Sequence, residues 1–370
     1  MESDKLHYNV SIIGGGPAGV ATAIMLAARG VSHCIIEAQP EPTAKAGEAL
    51  PPSARPLFRQ LGIEDLLQHT SHSPYYGNMS CWGSNEFVQE EFIHHLHGHG
   101  YLLNRQHFES QLQSLMQKQA TKFYSAYRLQ HVEPANPGIK IEIANGVCSK
   151  SITSDFVVDA TGRKASVCRR LGIEKEVYDD QFALSFRVKL KEPMARQIYI
   201  EAIDTGWWYA APFGDKEMTL MFFTAKDLLP TKPNTVEFLQ EAHHNTQHMP
   251  KSLDLSQVET SMVKVMPAGT SSLQVPYGEN WLAVGDAAYA YDPISSYGIT
   301  SALASGYYAG HALSDHLAGQ RDALVTYRYI MEKAFQGYLE KLFHQYDSEK
   351  RWSDGSYWKN RFPKIQPESP

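Results

Sequence analysis

Cysteine is scarce in this sequence: Cys34, Cys81, Cys148 and Cys168 are its four, with no CxxC pair and no regular spacing. They read as reduced thiols of an intracellular protein, neither disulfide staples nor zinc ligands. Positive charge is not in excess, since 34 basic residues face 40 acidic ones for a net charge of −6. That balance speaks against a nucleic-acid backbone as the main partner. No Pro, Gly or Ser tract is long enough to argue for disorder, and there is no internal repeat or block of like charge. The extended apolar stretch from Val10 to Ala28 is broken after four residues by Gly14-Gly15-Gly16-Pro17, and no basic cluster or cleavage site frames it. No other run approaches the ~18 apolar residues a membrane span needs. The expectation is a cytoplasmic protein without a membrane partner.

What is present is ordinary globular composition, 43% apolar and 20% charged over 370 residues. At ~150 residues per domain this suggests two packed units. Tyr8 to Ile13 runs apolar like a buried strand, a glycine cluster follows, and Ala18 to Arg29 has helical composition up to Gly30. Ser32 to Glu37 reads as a second strand, closed by Gln39-Pro40-Glu41-Pro42, so the chain opens with a βαβ unit. Phe108, Leu112, Leu115 and Met116 recur at helical spacing, predicting a helix over Arg105 to Gln119 with Asn104 as its cap. Between Phe182 and Ala225 the texture changes to short strands split by turns, as in an antiparallel sheet. Trp281 to Val284 restores a buried strand, and helical texture runs from Ile299 to about Gln345.

Gly14, Gly16 and Gly19 form GxGxxG between that first strand and the helix opened by Pro17 and Ala18, with Glu37 following 18 residues later. The first glycine permits the turn, the second admits a pyrophosphate against the backbone, and the third lets helix and strand pack closely. The helix N-terminus favours the anion, and Glu37 accepts from a ribose while disfavouring a 2′-phosphate. The fingerprint serves NAD and FAD alike. No second GxGxxG exists for a resident nicotinamide, so the electrons are expected from a separate flavin reductase or from NAD(P)H.

Two later segments separate the cofactors. Asp155-Phe-Val-Val-Asp-Ala-Thr-Gly162 and Trp281-Leu-Ala-Val-Gly-Asp286-Ala-Ala each read as a strand closing on a small-residue turn. They resemble the second and third flavin-binding segments of the FAD-dependent monooxygenase superfamily. That resemblance implies a Rossmann-like α/β FAD-binding domain of the glutathione-reductase/p-hydroxybenzoate-hydroxylase type, with an inserted antiparallel-sheet substrate domain and C-terminal helices. The boundaries expected are 1–70, 98–175 and 275–320 for the FAD-binding domain, 71–97 and 176–274 for the substrate domain, and 321–370 for the C-terminal helix and aromatic tail. It further places Asp159, Gly162, Asp286, Pro293, Gly298 and Ile299 at the cofactor. The helix N-terminus at Gly298 would face the flavin's pyrimidine edge.

Over nearly the whole chain the likeness sharpens toward the flavin-dependent halogenases. Gly47-Glu-Ala-Leu-Pro-Pro52, Asn104-Arg105, Asp159-Ala-Thr-Gly-Arg163, Gly206-Trp-Trp-Tyr-Ala-Ala-Pro212 and Asp292-Pro-Ile-Ser-Ser-Tyr-Gly298 are similar to their landmarks. The departures matter more. Halogenases carry a lysine some thirty residues past the Gly-Glu segment to capture hypohalous acid, whereas no lysine lies between Lys45 and Lys118 here. Ser295 stands where they have a glutamate, and Trp207, Tyr209 and Ala211 stand at the WxWxI positions. Halogenation is therefore not expected. With Gly285-Asp-Ala-Ala followed by Tyr-Ala-Tyr-Asp-Pro293, and Arg351-Trp352 and Tyr357-Trp358 near the end, the chain resembles the flavoprotein maturases of lysine ε-oxidase and glycine oxidase. What this implies is protein-directed monooxygenation, in which reduced flavin and O₂ deliver oxygen to a tryptophan of a quinoprotein amino-acid oxidase precursor during cysteine tryptophylquinone biogenesis. Hydroxylation of a free aromatic, isoprenoid reduction, and a non-catalytic chaperone are the alternatives.

Individual residues carry competing roles. Trp207, Trp208 and Tyr209 either wall a substrate pocket or pack the two faces of a sheet, with alternation putting Trp207 and Tyr209 together and Trp208 opposite. Trp82, Ser295 and Ser296 are further pocket candidates. Glu48 is the candidate acid/base and a cofactor neighbour, or else a loop anchor. Arg105 contacts the cofactor or the loop over it, and Asp159 either meets the cofactor or caps its turn. His95, His97 and His99 at spacing of two would share one side of a strand and could seat zinc, but they lack companion ligands, so a flavin-adjacent loop or solvated histidines is the expectation, with no metal.

Overall fold

The computed structural model describes residues 6–118, 121–251, 253–359 and 361. The first strand, Leu6–Ile13, lies between parallel partners His33–Glu37 and Ser149–Asp159. With neighbours on both edges and layers on both faces, Val10, Ser11, Ile12 and Ile13 are all buried, which is why the sequence there runs apolar without alternation. At Gly14 the backbone takes φ +115°, and a Cβ would stand 2.2 Å from the Ala160 carbonyl oxygen, so only glycine makes this turn. The helix Pro17–Ala28 follows with proline in its first turn.

Seven strands make the first sheet. Lys122–Ser125 flanks His33–Glu37 on one side, and an antiparallel meander of Arg128–Pro134 and Ile139–Ala144 pairs with the early half of Ser149–Asp159. Trp281–Ala283 pairs in parallel with that strand's end. One long strand thereby brings two distant segments to the edge where the glycine turn lies. Helix Gly298–Leu317 packs on Pro17–Ala28, and its Gly306 and Gly310 explain the closeness. A Cβ at Gly306 would meet the Ala18 oxygen at 2.2 Å, and one at Gly310 the Met25 Cβ at 2.5 Å. The two helices run in the same direction, so their N-termini converge at one end.

The second sheet also has seven strands, ordered Lys264–Pro267, Gln181–Lys189, Glu217–Ala225, Gly206–Phe213, Ile198–Ile203, Gly77–Cys81 and Val88–Glu91. Gly77–Cys81 joins in parallel and the rest are antiparallel. The chain is thus α/β, with a Rossmann-like parallel sheet, an antiparallel sheet and C-terminal helices. Apolar side chains from odd-numbered positions, such as Ala183, Trp207 and Phe223, join the core shared with the first sheet's helices. Even-numbered positions, such as Leu184, Trp208 and Phe222, join a second core under helix Thr235–His244.

Two details of these expectations take definite form. The helical texture expected from Ile299 to about Gln345 takes the form of two helices, Gly298–Leu317 and Ala323–Asp347, because Gly319 at φ +97° ends the first. The histidines 94–99 lie in turns beyond Val88–Glu91, not on one side of a strand, with His95 N bonded to Phe92 O and Gly98 N to His95 O. No metal-holding group of His, Cys, Asp or Glu occurs among the described residues. Among those residues, too, no helix is long and apolar enough to cross a membrane.

Candidate functional site

The glycine turn forms an open nest. A Cβ at Gly16 would meet nothing within 4 Å, whereas one at Gly19 would lie 2.0 Å from the Gly14 oxygen. No side chain caps the helix that starts at Pro17. Glu37 reaches back to accept from Gly15 N and Gln39 N, both at 2.8 Å. The surface ahead of Gly16 is therefore bare backbone at a helix N-terminus, which suits a diphosphate.

Around this nest the predicted acids divide. Asp159 is fully buried, and its carboxylate accepts from Thr161 N and Oγ1 and from Val167 N and Cys168 N. It caps the turn at Gly162 and the helix Ser166–Arg170, so its role here is to shape the loop from within. Asp286 is half-exposed after Trp281–Ala283, with Arg163 Nε 3.4 Å from its carboxylate. Lys175 donates to the Asp286 carbonyl at 2.7 Å, and burial pulls its ammonium down to about 8. Pro293, Ser295 and Ser296 form the turn ahead of Gly298, with Ser296 left-handed at φ +53° and Ser295 Oγ bonded to Asp292 O. Gly298 is exposed at the helix start, and Ile299 is buried behind it.

A cleft of about 760 Å³ opens between the 44–48 loop and the inner face of the antiparallel sheet, lined by Ala46, Glu48, Ser185, Arg187, Thr219 and Lys264 among others. Glu48 is 1% exposed. Its Oε1 accepts from Arg187 at 2.8 Å, while Oε2 meets no donor of good geometry among the described residues. Burial raises its pKa, and the hydrogen bond and charge of Arg187 offset this, with Thr219 and Arg105 helping. Arg187 also bonds Thr219 Oγ1 and lies 3.4 Å over the Phe213 ring, which fixes it in place. Behind Glu48 the buried Tyr209 hydroxyl likewise lacks a partner among the described residues, and burial together with Glu48 raises its pKa well above 10.0.

Arg105 grips the loop itself, donating to Gly47 O and Ala46 O and pairing with Glu109, which also holds Lys45. Trp207 and Tyr209 share the inner face, but Trp208 points into the second core, where its Nε1 donates to Ala242 O. These three do not form one wall. Trp207 is itself covered, stacked on Phe223 and donating to Tyr346 and Gln181. Trp82 lies edge-on to Trp207, Tyr346 and Trp358, and donates to Gln345 O. The C-terminal helices thus seal this aromatic cluster. Arg187 and Thr219 escaped sequence reasoning. Alternation puts Gln181, Ser185 and Arg187 on the face of Trp207, yet only strand pairing reveals that this face meets the Glu48 loop.

The sequence profile of the FAD binding domain family matches residues 7–336, and the chain belongs to that family. It is an FAD-dependent oxidoreductase of the halogenase and monooxygenase superfamily, and FAD is its cofactor. LodB of Marinomonas mediterranea, named as an FAD-dependent oxidoreductase, is 26% identical over 96% of both chains. The 1H-pyrrole-2-carbonyl-[peptidyl-carrier protein] chlorinase of Pseudomonas fluorescens is 26% identical over 80% of this chain and 74% of its own. Among solved structures, the flavin-dependent halogenase CmlS superposes with TM-score 0.85 at 20% identity, covering 99% of this chain and 69% of that one. The peptidyl tryptophan dihydroxylase QhpG superposes with TM-score 0.79 at 21% identity, covering 98% and 81%. Both share the fold.

Proposed function

We propose that the chain is an FAD-dependent monooxygenase that oxygenates a tryptophan side chain of a partner protein, the precursor of a quinoprotein amino-acid oxidase. The observation carrying this reading is the character of the cleft. Its wall presents a buried carboxyl, Glu48, with one oxygen held by Arg187 and the other facing no donor of good geometry among the described residues. Arg187 is committed to Glu48 and Thr219, and Lys45 to Glu109. A buried carboxyl in such a cleft suits proton handling on an indole carbon. The full-length likeness to LodB and the shared fold with QhpG support the same reading.

In this reading the Gly14–Gly19 nest, Glu37 and Asp286 hold FAD, which supplies oxygen activation once reduced by an external reductase. Arg187 fixes the Glu48 loop against the sheet, and Glu48 takes the proton released as the oxygenated indole regains aromaticity. The test is co-expression with the oxidase precursor. The precursor should gain oxygen on one tryptophan by mass spectrometry and develop quinone absorbance. A precursor that matures equally well without this chain would remove the idea. The cleft volume also lies within the range of small-molecule pockets, which favours hydroxylation of a free aromatic as the second reading. Turnover stimulated by a free compound without any precursor distinguishes it.

A further inference from the structure

Near the chain's end, a single guanidinium serves two buried carboxylates that belong to different parts of the fold. The Arg361 side chain is 5% exposed and donates to Asp179 Oδ1 at 2.7 Å, to Asp292 Oδ2, and to the Tyr346 hydroxyl at 3.1 Å. Asp292 is 0% exposed, and it also accepts from Gln181 Nε2, from the Tyr346 hydroxyl and from Ile294 N. Asp179 accepts from Gln181 N and Thr270 N. Tyr357 donates to Gln181 Oε1 at 2.6 Å, and Trp207 Nε1 donates to Tyr346. The C-terminal segment is thus wired through one polar hub to the sheet face that bears Trp207 and to the residue that heads the 292–298 turn.

That turn is anchored inside and presented outside. Asp292 O accepts from Ser295 N and Oγ, Ser296 adopts its left-handed conformation, and Tyr297 and Gly298 are exposed where the 20-residue helix begins. The parallel packing of this helix on Pro17–Ala28 puts the exposed end beside the glycine nest, since Gly285 lies between Ala18 and Ala302. The shape of the turn therefore depends on where Asp292 sits, and Asp292 sits where Arg361 neutralises it. Two dry carboxylates with no cation repel each other, and a turn is the softer of the two attachments.

We propose that Arg361 is a positioning residue for FAD, holding the Asp292 to Gly298 turn in its cofactor-binding shape from the far end of the chain. This rests on the reading that the turn faces the flavin, but not on any substrate assignment. The experiment measures FAD affinity of the full chain by flavin fluorescence, with thermal unfolding of the apoprotein recorded alongside and no precursor present. Arg361→Gln should bind FAD about tenfold more weakly, and Asp179→Asn added to it should restore most of that loss by removing the uncompensated charge. Should Arg361→Gln fail to fold, Arg361→Lys decides, because a point charge serves one carboxylate better than two. An affinity that falls by a few fold at an unchanged melting temperature supports the proposal. FAD binding within about twofold of wild type in the folded variant, or a loss that Asp179→Asn does not relieve, overturns it.

Discussion

Arg187 and Glu48 meet at 2.8 Å across the seam between the antiparallel sheet and the loop that follows the first βαβ unit. Glu48 lies in the loop after the first βαβ unit and Arg187 on the antiparallel sheet, so the pair ties these two parts of the chain together. Because the carboxyl is buried and the guanidinium partly exposed, the contact lowers a proton affinity that burial raises.

Glu48→Gln should keep FAD bound while lowering indole oxygenation about a hundredfold, measured in single turnovers on the precursor. Arg187→Met should move the rate-profile midpoint belonging to Glu48 upward, since the charge and bond that lower its pKa are gone. The stability sign is fixed as well. A carboxyl whose folded pKa is raised above its ordinary 4.5 stabilises below that value, and this is lost as pH rises through the folded pKa. The melting temperature of Glu48→Gln relative to wild type should therefore rise as pH climbs above 4.5.

Lys175 gives the opposite slope. Its folded pKa of about 8 lies below the ordinary 10.5, so the unfolded chain binds more protons between those values and wild-type stability rises with pH there. Lys175→Met should show its greatest advantage in melting temperature below pH 8 and lose it by pH 10.5. A constant difference across that window contradicts the assignment.

The glycine nest separates binding from folding. Gly16→Trp has open space at its Cβ, so the apoprotein should melt within about 2 °C of wild type while FAD binding is lost. In Gly19→Ala the added carbon collides with the Gly14 oxygen, and the apoprotein should lose about 1–3 kcal/mol in denaturant titration.

Trp208 tests which aromatic belongs to which core. Trp208→Ala should cost about 3–5 kcal/mol, because it empties a fully buried site under Thr235–His244. FAD affinity in the folded variant should not change, because the contacts of Trp208 are with Phe186, Phe222, His243 and Ala242, none of them a residue of the nest.

Much of the architecture was legible in advance because its signals are local. A buried parallel strand must run apolar, a turn at φ +115° must be glycine, and a helix meeting a diphosphate must begin with bare amides, so Leu6–Glu37 declared itself. The aromatic strand Gly206–Phe213 was equally plain, including which way Trp208 points. The C-terminal helices were legible as a span, while the left-handed Gly319 that divides them is a single-residue signal that only the backbone makes plain.

The sequence by itself determined the nest, the flavin segments and the alternating faces of the second sheet, since each depends on residues a few positions apart. Only the tertiary structure decided that Glu48 meets Arg187, that Trp82 and Trp207 lie sealed beneath the C-terminal helices, and that Arg361 reaches Asp179 and Asp292. Those contacts join segments 69 to 263 residues apart. Burial and charge balance select such partners once the chain has folded, and no local pattern encodes which buried carboxylate a distant guanidinium will neutralise.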